Sequence, residues 1–430
     1  MSIRLLFSQV VVVLVMNFFV IGDFAVAAEG TADRLLLAEV VAEALAQNPQ
    51  IQAARQRWLA AQERPAQVGS LDDPEVKVEF FNTPQSLDIT RTENTIFGLS
   101  QRFPYPGKRA LRKNLAMKDA DIVEAQLREK ERAITAQVKI TYHELFLARK
   151  AIDVHRQQIA IVKDFFDIAN ARFRAGKVAQ VDVLKSTVEL SKLHNELPVL
   201  EQRRESAQAK LNLLMNRAPH APLGLPVAPV GPRGKQGIEE LEQIAFQNRP
   251  ELRALNTDAA RSQTAIALAQ KQYYPDFNVM VERFQNFGQR DGFGGMAVMS
   301  LPFSFWTKSK YDAGVREAKA NLESAKAAYQ AAGNQVRFEL KDLLAKIDAA
   351  EKLLTLYKTT IIPQAQQTLE SARISYQTGK VEFLSLLDAE RALKEFQLEY
   401  YRTLTAFEQR MAELEQAVGR ELQGSITVSP

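Results

Sequence analysis

The sequence predicts a mainly α-helical, elongated protein with a small β part, built as two similar halves. No glycine or proline occurs between Lys108 and Ala175, so one helix of about 68 residues would extend for roughly 100 Å. Short segments with alternating apolar residues precede this helix, and they indicate strands. The same order of segments returns about 200 residues later, which indicates an internal repeat. A helix of this length does not fit inside a compact domain.

The composition is that of a folded chain. The 430 residues are 46% hydrophobic and 25% charged, with a formal net charge of +4, which argues against wholesale disorder. Basic and acidic residues are interspersed, so no nucleic-acid-binding surface is predicted. The chain contains no cysteine, which excludes disulfides, thiolate metal ligands and a cysteine nucleophile. It also excludes a lipoprotein anchor, which requires an N-terminal cysteine.

Residues 1–27 are predicted to be a cleavable signal peptide. Arg4 precedes an apolar stretch from Leu5 to Ile21, and Ala25-Val26-Ala27 has the pattern of a cleavage site. An uncleaved membrane anchor is the less favoured alternative, because no basic flank follows the apolar stretch. No later stretch of 18 apolar residues occurs. We therefore expect an exported mature chain.

Six short motifs recur in the same order at a nearly constant offset. The clearest pairs are Pro49 with Pro250, Pro74 with Pro275, and Gly176 with Gly379. A proline- and glycine-rich segment separates the two sets and indicates a linker. The predicted division is a first repeat at residues 28–217, a linker at 218–237, a second repeat at 238–420 and a tail at 421–430.

Each repeat is predicted to contain a leading helix, two strands, a long helix and a return helix. In the first repeat these are helix 37–68, strands 76–82 and 95–103, helix 108–175 and helix 178–216. In the second they are helix 238–272, strands 277–284 and 296–303, a long helix to 378 and a return helix 381–420. Residues spaced by seven predict coiled-coil packing of the long helices: Leu145, Ile152, Ile159, Phe166 and Phe173, then Leu340, Ile347, Leu354 and Ile361.

The strands have one apolar and one polar face. In the first, Val76, Val78 and Phe80 alternate with Lys77 and Glu79, a pattern typical of transmembrane β-strands. A soluble protein whose hairpins pack on its own helices is the alternative. Export of the chain and the open edges of four strands favour a lipid-facing barrel, because a membrane does not tolerate unpaired strand edges. Several subunits would have to complete that barrel.

The two long helices are predicted to end at similar corners. The first corner runs from Phe173 to Asp182 around Ala-Gly-Lys-Val, and the second runs from Tyr376 to Asp388 around Thr-Gly-Lys-Val. Together with the two-fold repeat and the motifs Asn48-Pro49 and Asn248-Arg-Pro250, these corners resemble the TolC-like bacterial outer-membrane efflux protein family. The resemblance to these outer membrane factors of tripartite pumps covers essentially the whole mature chain.

The resemblance implies a homotrimer that pools four strands per chain into one transmembrane β-barrel in the outer membrane of a Gram-negative bacterium. A long coiled-coil α-helical barrel would continue through the periplasm. The protein would be a passive exit duct without a cofactor, not an enzyme. Its partners would be outer-membrane lipid, a periplasmic adaptor (membrane fusion protein) and an inner-membrane pump, with the resistance-nodulation-division type favoured.

The sequence does not identify the cargo. The short element Gly107-Lys108-Arg109 is similar to one in heavy-metal efflux members such as cobalt-zinc-cadmium and copper-silver systems, and it favours metal cations. Drug efflux, type I protein secretion and a non-transporting exported coiled-coil scaffold are the alternatives.

The resemblance also implies functional positions at the periplasmic tip: Gly176, Asp182, Tyr376, Gly379, Ser385 and Asp388. Tyr376 matches a tyrosine that latches the closed tip. Asp388 matches one of two acidic residues in relatives, and Ser385 replaces the other. Asp388 either forms a charged ring in the trimer or faces solvent, and Asp182 is expected mainly to fix local helix geometry. The expected barrel-to-helix hinge residues are Pro104, Pro106, Gly107 and Pro302.

No catalytic, cofactor or metal site is predicted. The four histidines are scattered, and His143-Glu144 lacks the second histidine of a zinc protease motif. The glycine-rich stretch 292–295 has no P-loop Lys-Ser/Thr, so we expect a barrel loop there.

Overall fold

The computed structural model describes residues 34–83, 85, 89, 92–229, 231, 236–286, 290–302 and 304–422. The predicted signal peptide at residues 1–27, residues 423–430 of the predicted tail, and residue 303 of the predicted fourth strand lie outside the described residues.

Among the described residues, the first half contains four helices and four strands. In chain order these are β1 (Arg34–Leu35), α1 (Leu37–Gln47), α2 (Pro49–Gly69), β2 (Glu75–Phe81), β3 (Asn94–Phe103), α3 (Lys108–Arg174), α4 (Gln180–Leu214) and β4 (Leu225–Pro226). The two-residue strands β1 and β4 pair in parallel. Tyr142 of α3 holds this pair, because its hydroxyl donates to the Leu35 carbonyl (2.7 Å) and accepts from the Val227 amide (2.8 Å).

The second half repeats this order with one interruption. Its elements are α5 (Ile238–Asn248), α6 (Pro250–Lys271), β5 (Phe277–Asn286), β6 (Gly292–Met299), α7 (Lys308–Leu356), a π-helical turn (Tyr357–Ile361), α8 (Ile362–Gln377) and α9 (Phe383–Val418).

Each predicted leading helix is in fact two helices. Asn48 has φ −64° and ψ 122°, and Arg249 has φ −68° and ψ 118°. Both residues precede a proline, whose ring disfavours the helical conformation in the residue before it but suits the first turn of the next helix. Asn48 also caps α2 by accepting from the Gln50 amide (2.9 Å).

The four longer strands form one antiparallel sheet in the order β2-β3-β5-β6. The central β3–β5 pair joins the two halves, from Asn94 opposite Asn286 to Phe103 opposite Phe277. Within the described residues, β2 and β6 each pair on one side only.

The fourth strand differs from the prediction. It begins at Gly292 and ends at Met299, so the stretch 292–295 predicted to be a loop is the first half of a strand. A Cβ atom on Gly294 would lie 2.7 Å from the Phe284 ring. The glycine therefore leaves space for this aromatic side chain on the neighbouring strand, and does not mark a turn.

The sheet exposes its apolar face. In β3, Leu99 is 54% exposed whereas the neighbouring Ser100 is 4% exposed. On the opposite, polar face, Lys77 lies 3.6 Å from the Glu282 carboxylate across Gly98. This arrangement is the reverse of a sheet in a water-soluble protein and is typical of a strand that faces lipid.

The helices pack through several separate apolar clusters. One joins α5, α7 and α9, a second joins α1, α3 and α4, and a third lies near the ends of α3 and α8. Near the end of α3 the buried residues are Val162, Phe165 and Ala169, whereas Phe173 is 39% exposed. Phe166 is half-buried, so of these two predicted seam positions only Phe173 is exposed. Near its end α3 instead packs Phe165 and Ala169 against Tyr376 and Phe383 of the second half.

The π-helical turn interrupts the long helix of the second half only. Pro363 follows the turn closely, has no amide hydrogen, and its ring crowds the carbonyl four residues earlier. The hydrogen-bond ladder widens just before this proline, as in other π-bulges. In the described part of the chain, no helix combines the length and apolarity needed to cross a bilayer.

Candidate functional site: the helix tip and the strand-to-helix joins

The two helix corners have the same backbone geometry. Gly176 and Gly379 have φ of 67° and 79°, in the left-handed region that favours glycine. The Lys177 amide donates to the Arg172 carbonyl (2.9 Å), and the Lys380 amide donates to the Ser375 carbonyl (2.8 Å). Both corners are thus Schellman caps, and each reverses the chain into the return helix.

Tyr376 connects the second corner to the first. Its side chain is 1% exposed, and its hydroxyl donates to the Asp182 carboxylate (3.1 Å). The Arg172 guanidinium lies 4.8 Å from the centre of the Tyr376 ring in a cation–π contact. Burial, and next the negative charge of Asp182, raise the pKa of Tyr376. The phenol therefore remains a hydrogen-bond donor, and Asp182 does more than fix local helix geometry.

The reciprocal contact does not form. Phe173 stands three residues before Gly176, as Tyr376 does before Gly379, and Ser385 follows Gly379 by six residues, as Asp182 follows Gly176. Phe173 has no hydroxyl, and Ser385 is exposed and has no carboxylate. Each chain therefore has this hydrogen bond once, from its second half to its first.

Asp388 lies on the exposed side of α9. Its side chain is 62% exposed and its carboxylate is 3.6 Å from the Arg391 guanidinium. Arg391 also donates to Glu189 of α4 (Nε to Oε1, 3.2 Å), and this hydrogen bond holds the pKa of Glu189 below its usual range. Arg391 thus links the return helices of the two halves beside Asp388.

Glu390 is a buried carboxyl that the sequence analysis missed. It is 1% exposed, and within the described residues its Oε1 atom has no hydrogen-bond partner. Burial raises its pKa to about 7, an effect that Lys394 opposes and Glu189 increases. The available signal was its position among Leu386, Leu387 and Leu393, which define the buried face of α9.

The first strand-to-helix join is closed by Asp276, which the sequence analysis also missed. Lys108 is 2% exposed, and its ammonium donates to the Asp276 carboxylate and the Tyr274 carbonyl, both at 2.8 Å. The same carboxylate accepts from the Tyr105 amide (2.9 Å). Burial would raise the pKa of Asp276, but the hydrogen bonds from Lys108 and Tyr105 hold it below its usual range.

Aromatic stacking and backbone geometry complete this join. The rings of Tyr105 and Tyr274 stack at 4.5 Å, with the Lys271 ammonium above both. Gly107 has φ 92° and precedes the first residue of α3. Of the predicted hinge residues, Pro104, Pro106 and Gly107 therefore lie in a turn that is closed by intramolecular contacts.

The second join differs. Pro302 is buried, and the chain then turns through Ser304 and Thr307 into α7. Phe305 is 88% exposed and Trp306 is 70% exposed. Lys308, the first residue of α7, is exposed, whereas Lys108 at the start of α3 is buried. In the parts of the chain that the structure describes, no group of three or more His, Asp or Glu residues could hold a metal ion.

Comparison with known proteins identifies the family. The sequence model of the outer membrane efflux protein family matches residues 40–217 and 241–420. The chain belongs to the outer membrane efflux protein family. Members of this family are passive channels, which confirms the predictions that the chain resembles this family and is not an enzyme.

Individual members of the family show the same similarity. The cobalt-zinc-cadmium resistance protein CzcC of Cupriavidus metallidurans is 24% identical over 356 residues, which cover 81% of this chain and 82% of CzcC. The CusC structure matches with a TM-score of 0.77 and 15% identity, covering 89% of this chain and 92% of that chain. VceC from Vibrio cholerae matches with a TM-score of 0.75 and 17% identity, covering 89% and 96%. The structural matches show a common fold.

Proposed function

We propose that this protein is the outer-membrane exit duct of a tripartite efflux system. It passively conducts substrates from an inner-membrane pump and a periplasmic adaptor to the exterior. The observation that carries the proposal is the sheet, which exposes its apolar face and is continuous with helices of roughly 100 Å. A sheet of this kind is stable in lipid, and the helices are long enough to extend deep into the periplasm.

Trimerisation follows from the open sheet. A bilayer does not tolerate unpaired strand edges, and β2 and β6 present such edges at opposite ends of the described sheet. Three copies would pair β6 of one chain with β2 of the next and close a barrel of twelve strands.

The tip is the proposed gate. In a trimer the Tyr376–Asp182 hydrogen bond occurs three times around the duct axis, where it would hold the second hairpin against the first in the closed state. The glycine corners at Gly176 and Gly379 form the end of the duct. Asp388, exposed beside Arg391, would supply a single ring of carboxylates. Such a ring favours cations at a constriction.

The cargo proposal is metal cations, supported by the similarity to CzcC, a cobalt-zinc-cadmium resistance protein. The Gly107-Lys108-Arg109 element does not add support, because its side chains have structural partners. Lys108 binds Asp276, and Arg109 donates to the Gly69 carbonyl at 3.0 and 2.8 Å. Drug efflux and type I protein secretion are the competing cargoes.

The first test is the location and conductance of the full chain. We expect heat-modifiable trimers in the outer-membrane fraction, with the signal peptide removed, and stepwise conductance in planar bilayers. Recovery only as a soluble protein without conductance would support the exported scaffold instead and overturn the duct.

The second test addresses the cargo and the ring. Deletion of the gene should lower tolerance to cobalt, zinc or cadmium. Loss of drug tolerance or of a secreted protein, with unchanged metal tolerance, would contradict the metal proposal. Asp388→Ala should weaken the block of single-channel current by divalent cations, and an unchanged block would remove Asp388 from the gate.

A further inference from the structure

The second join exposes two adjacent aromatic side chains that the proposed duct does not yet explain. Phe305 is 88% exposed and Trp306 is 70% exposed, and their rings meet edge to face at 4.5 Å. Burying aromatic side chains of this size is normally favourable. Two of them side by side on the surface therefore indicate an interaction site.

A hydrogen-bonded turn holds this pair outward. The Thr307 hydroxyl donates to the Pro302 carbonyl (3.0 Å), and the Ser304 and Thr307 hydroxyls lie 2.7 Å apart. The Thr307 and Lys308 amides both donate to the Ser304 carbonyl, at 3.0 and 3.1 Å. The exposure of Phe305 and Trp306 is therefore a property of an ordered turn.

Two cations follow directly. Lys308 and Lys310 are exposed, and neither forms an ion pair with a carboxylate of the described chain. The Lys310 ammonium lies 5.5 Å from the centre of the Tyr311 ring, which leaves its charge accessible. The first turn of α7 contains no acidic residue, although helix N-termini usually favour acidic side chains. No carboxylate of the described chain therefore neutralises the positive charge of Lys308 and Lys310.

The first join shows that the fold can bury aromatic and lysine side chains at the start of a long helix. There the aromatic Tyr105 stacks on Tyr274, and Lys108 binds Asp276 inside the protein. The exposed set in the second join is thus not a requirement for passing from a strand into a long helix.

The neighbouring surface identifies the occupant. Trp306 follows Met299, the end of the exposed apolar sheet face, by seven residues, so the pair lies where that face ends at the helices. Tryptophan and other aromatic residues favour the membrane–water interface, and nearby lysines attract anionic lipid. The aromatic rings can contact the apolar region of a phospholipid at the interface, and the two lysines can bind its anionic headgroup.

We propose that Phe305, Trp306, Lys308 and Lys310 form an interfacial anchor that binds anionic phospholipid headgroups at the periplasmic surface of the outer membrane. The anchor rests on the proposed duct, because it requires the adjoining sheet to lie in lipid. It occurs once per chain, at the second join, and so three times in the trimer.

Tryptophan fluorescence tests the anchor directly. The chain has two tryptophans, Trp58 and Trp306, so Trp58→Phe leaves Trp306 as the sole emitter. This variant is reconstituted as the full-length trimer in vesicles of equal parts phosphatidylcholine and phosphatidylglycerol, with bromine on either lipid, near the headgroup or near the chain end. We expect stronger quenching by bromine near the headgroup. We also expect quenching by brominated phosphatidylglycerol to indicate roughly fivefold enrichment around Trp306.

Matched variants distinguish the contribution of the two lysines from that of Trp306. Adding Lys308→Gln and Lys310→Gln should remove the preference for phosphatidylglycerol while retaining quenching near the headgroup. In the control Trp306→Phe, the remaining Trp58 on α2 should not be quenched. Equal quenching by both lipids in the lysine-containing protein would overturn the anionic headgroup as ligand.

Conductance of the same vesicles distinguishes the anchor from the duct. If the trimer conducts but Trp306 is protected from both brominated lipid and iodide, the pair packs against a neighbouring subunit, and the anchor is wrong while the duct stands. If Trp306 in a conducting trimer is quenched by iodide alone, it faces water, and the anchor is again wrong. If the protein neither inserts nor conducts, the duct and the anchor both fail.

Discussion

The two strand-to-helix joins contain similar lysine and aromatic residues, but the first join buries them and the second exposes them. In the first join Lys108 is 2% exposed and bound to Asp276, and Tyr105 stacks on another tyrosine. In the second join Lys308 is exposed, and Trp306 is 70% exposed. The first join consolidates the chain internally, whereas the second presents its side chains to the surroundings. Corresponding segments of the two repeats therefore differ in whether their side chains form internal contacts or remain exposed.

The same difference continues along the two long helices. α3 runs from Lys108 to Arg174 without interruption, whereas the corresponding helix of the second half contains the π-helical turn Tyr357–Ile361. The second half also contributes the donor of the latch, Tyr376, and the buried Glu390. In the proposed duct, the first half would therefore provide a continuous frame, and the second half would carry the lipid anchor, the buried Glu390 and the donor of the proposed latch.

The largest expected effect concerns the buried lysine. Lys108→Met should destabilise the protein by about 3 kcal/mol, because it leaves the Asp276 carboxylate without its main partner in a buried site. Lys308→Met is the matched control at the exposed start of α7 and should cost less than about 0.5 kcal/mol. Thermal unfolding of both variants in the same detergent measures the difference. Equal losses would show that the two joins are energetically alike.

The second effect is a pH dependence specific to the second half. Because the packed state raises the pKa of Glu390 from 4.5 to about 7, that state binds a proton more tightly than the unfolded state. Its stability should therefore fall as the pH rises from about 4.5 through about 7, by roughly 3 kcal/mol in total. Glu390→Gln should remove this fall and raise the unfolding temperature at pH values above 7.

The control for this pH dependence is Glu129→Gln, which changes an exposed carboxylate on α3. It should retain the parent pH profile. If Glu390→Gln also retains that profile, Glu390 does not couple protonation to helix packing, and the second half has no special response to pH.

The third effect concerns the latch. Tyr376→Phe removes the hydroxyl that donates to Asp182 and should weaken each latch by about 1–2 kcal/mol, which raises the single-channel conductance of the resting trimer. Phe173→Tyr adds a hydroxyl at the first corner, where Ser385 offers no carboxylate, and should leave the conductance unchanged. An equal increase in both variants would mean that disturbance of the tip, rather than this hydrogen bond, opens the channel.

The smallest expected effect comes from the π-helical turn. Pro363→Ala restores an amide hydrogen and removes the ring that crowds the preceding turn. It should stabilise the protein by up to about 1 kcal/mol and slow hydrogen exchange of the amides in Tyr357–Ile361. Unchanged exchange would show that the turn is set by packing with α9 and not by the proline.

Local features of the fold were accessible from the sequence. The helix α3 follows from a long stretch without glycine or proline, and the corners follow from Gly176 and Gly379, whose left-handed backbone few other residues adopt. The apolar residues predicted to share one face of β2, Val76, Val78 and Phe80, are exposed, but the polar Lys77 of that strand is exposed as well. These features depend on neighbours within a few positions along the chain.

The remaining features depend on distant partners. The burial of Lys108 could not be predicted from its neighbours in sequence, because its partner Asp276 lies in the other half. Glu390 resembles an ordinary surface glutamate in the sequence, yet it is 1% exposed in the fold, and Asp182 gained its partner from the second corner. The start of β6 was missed because Gly292 and Gly294 indicate a loop locally, whereas pairing with β5 keeps them in a strand.

The β3–β5 pairing has a consequence for the order of assembly. Its partners are roughly 180 residues apart along the chain, so the sheet cannot form until the second half has emerged at least as far as β5. Contacts of such long range form slowly, and until then the hairpin β2–β3 presents apolar residues such as Val76 and Leu99 to water. The exported chain thus passes through a stage in which its future membrane surface is prone to aggregation. Its maturation depends on how long that stage lasts.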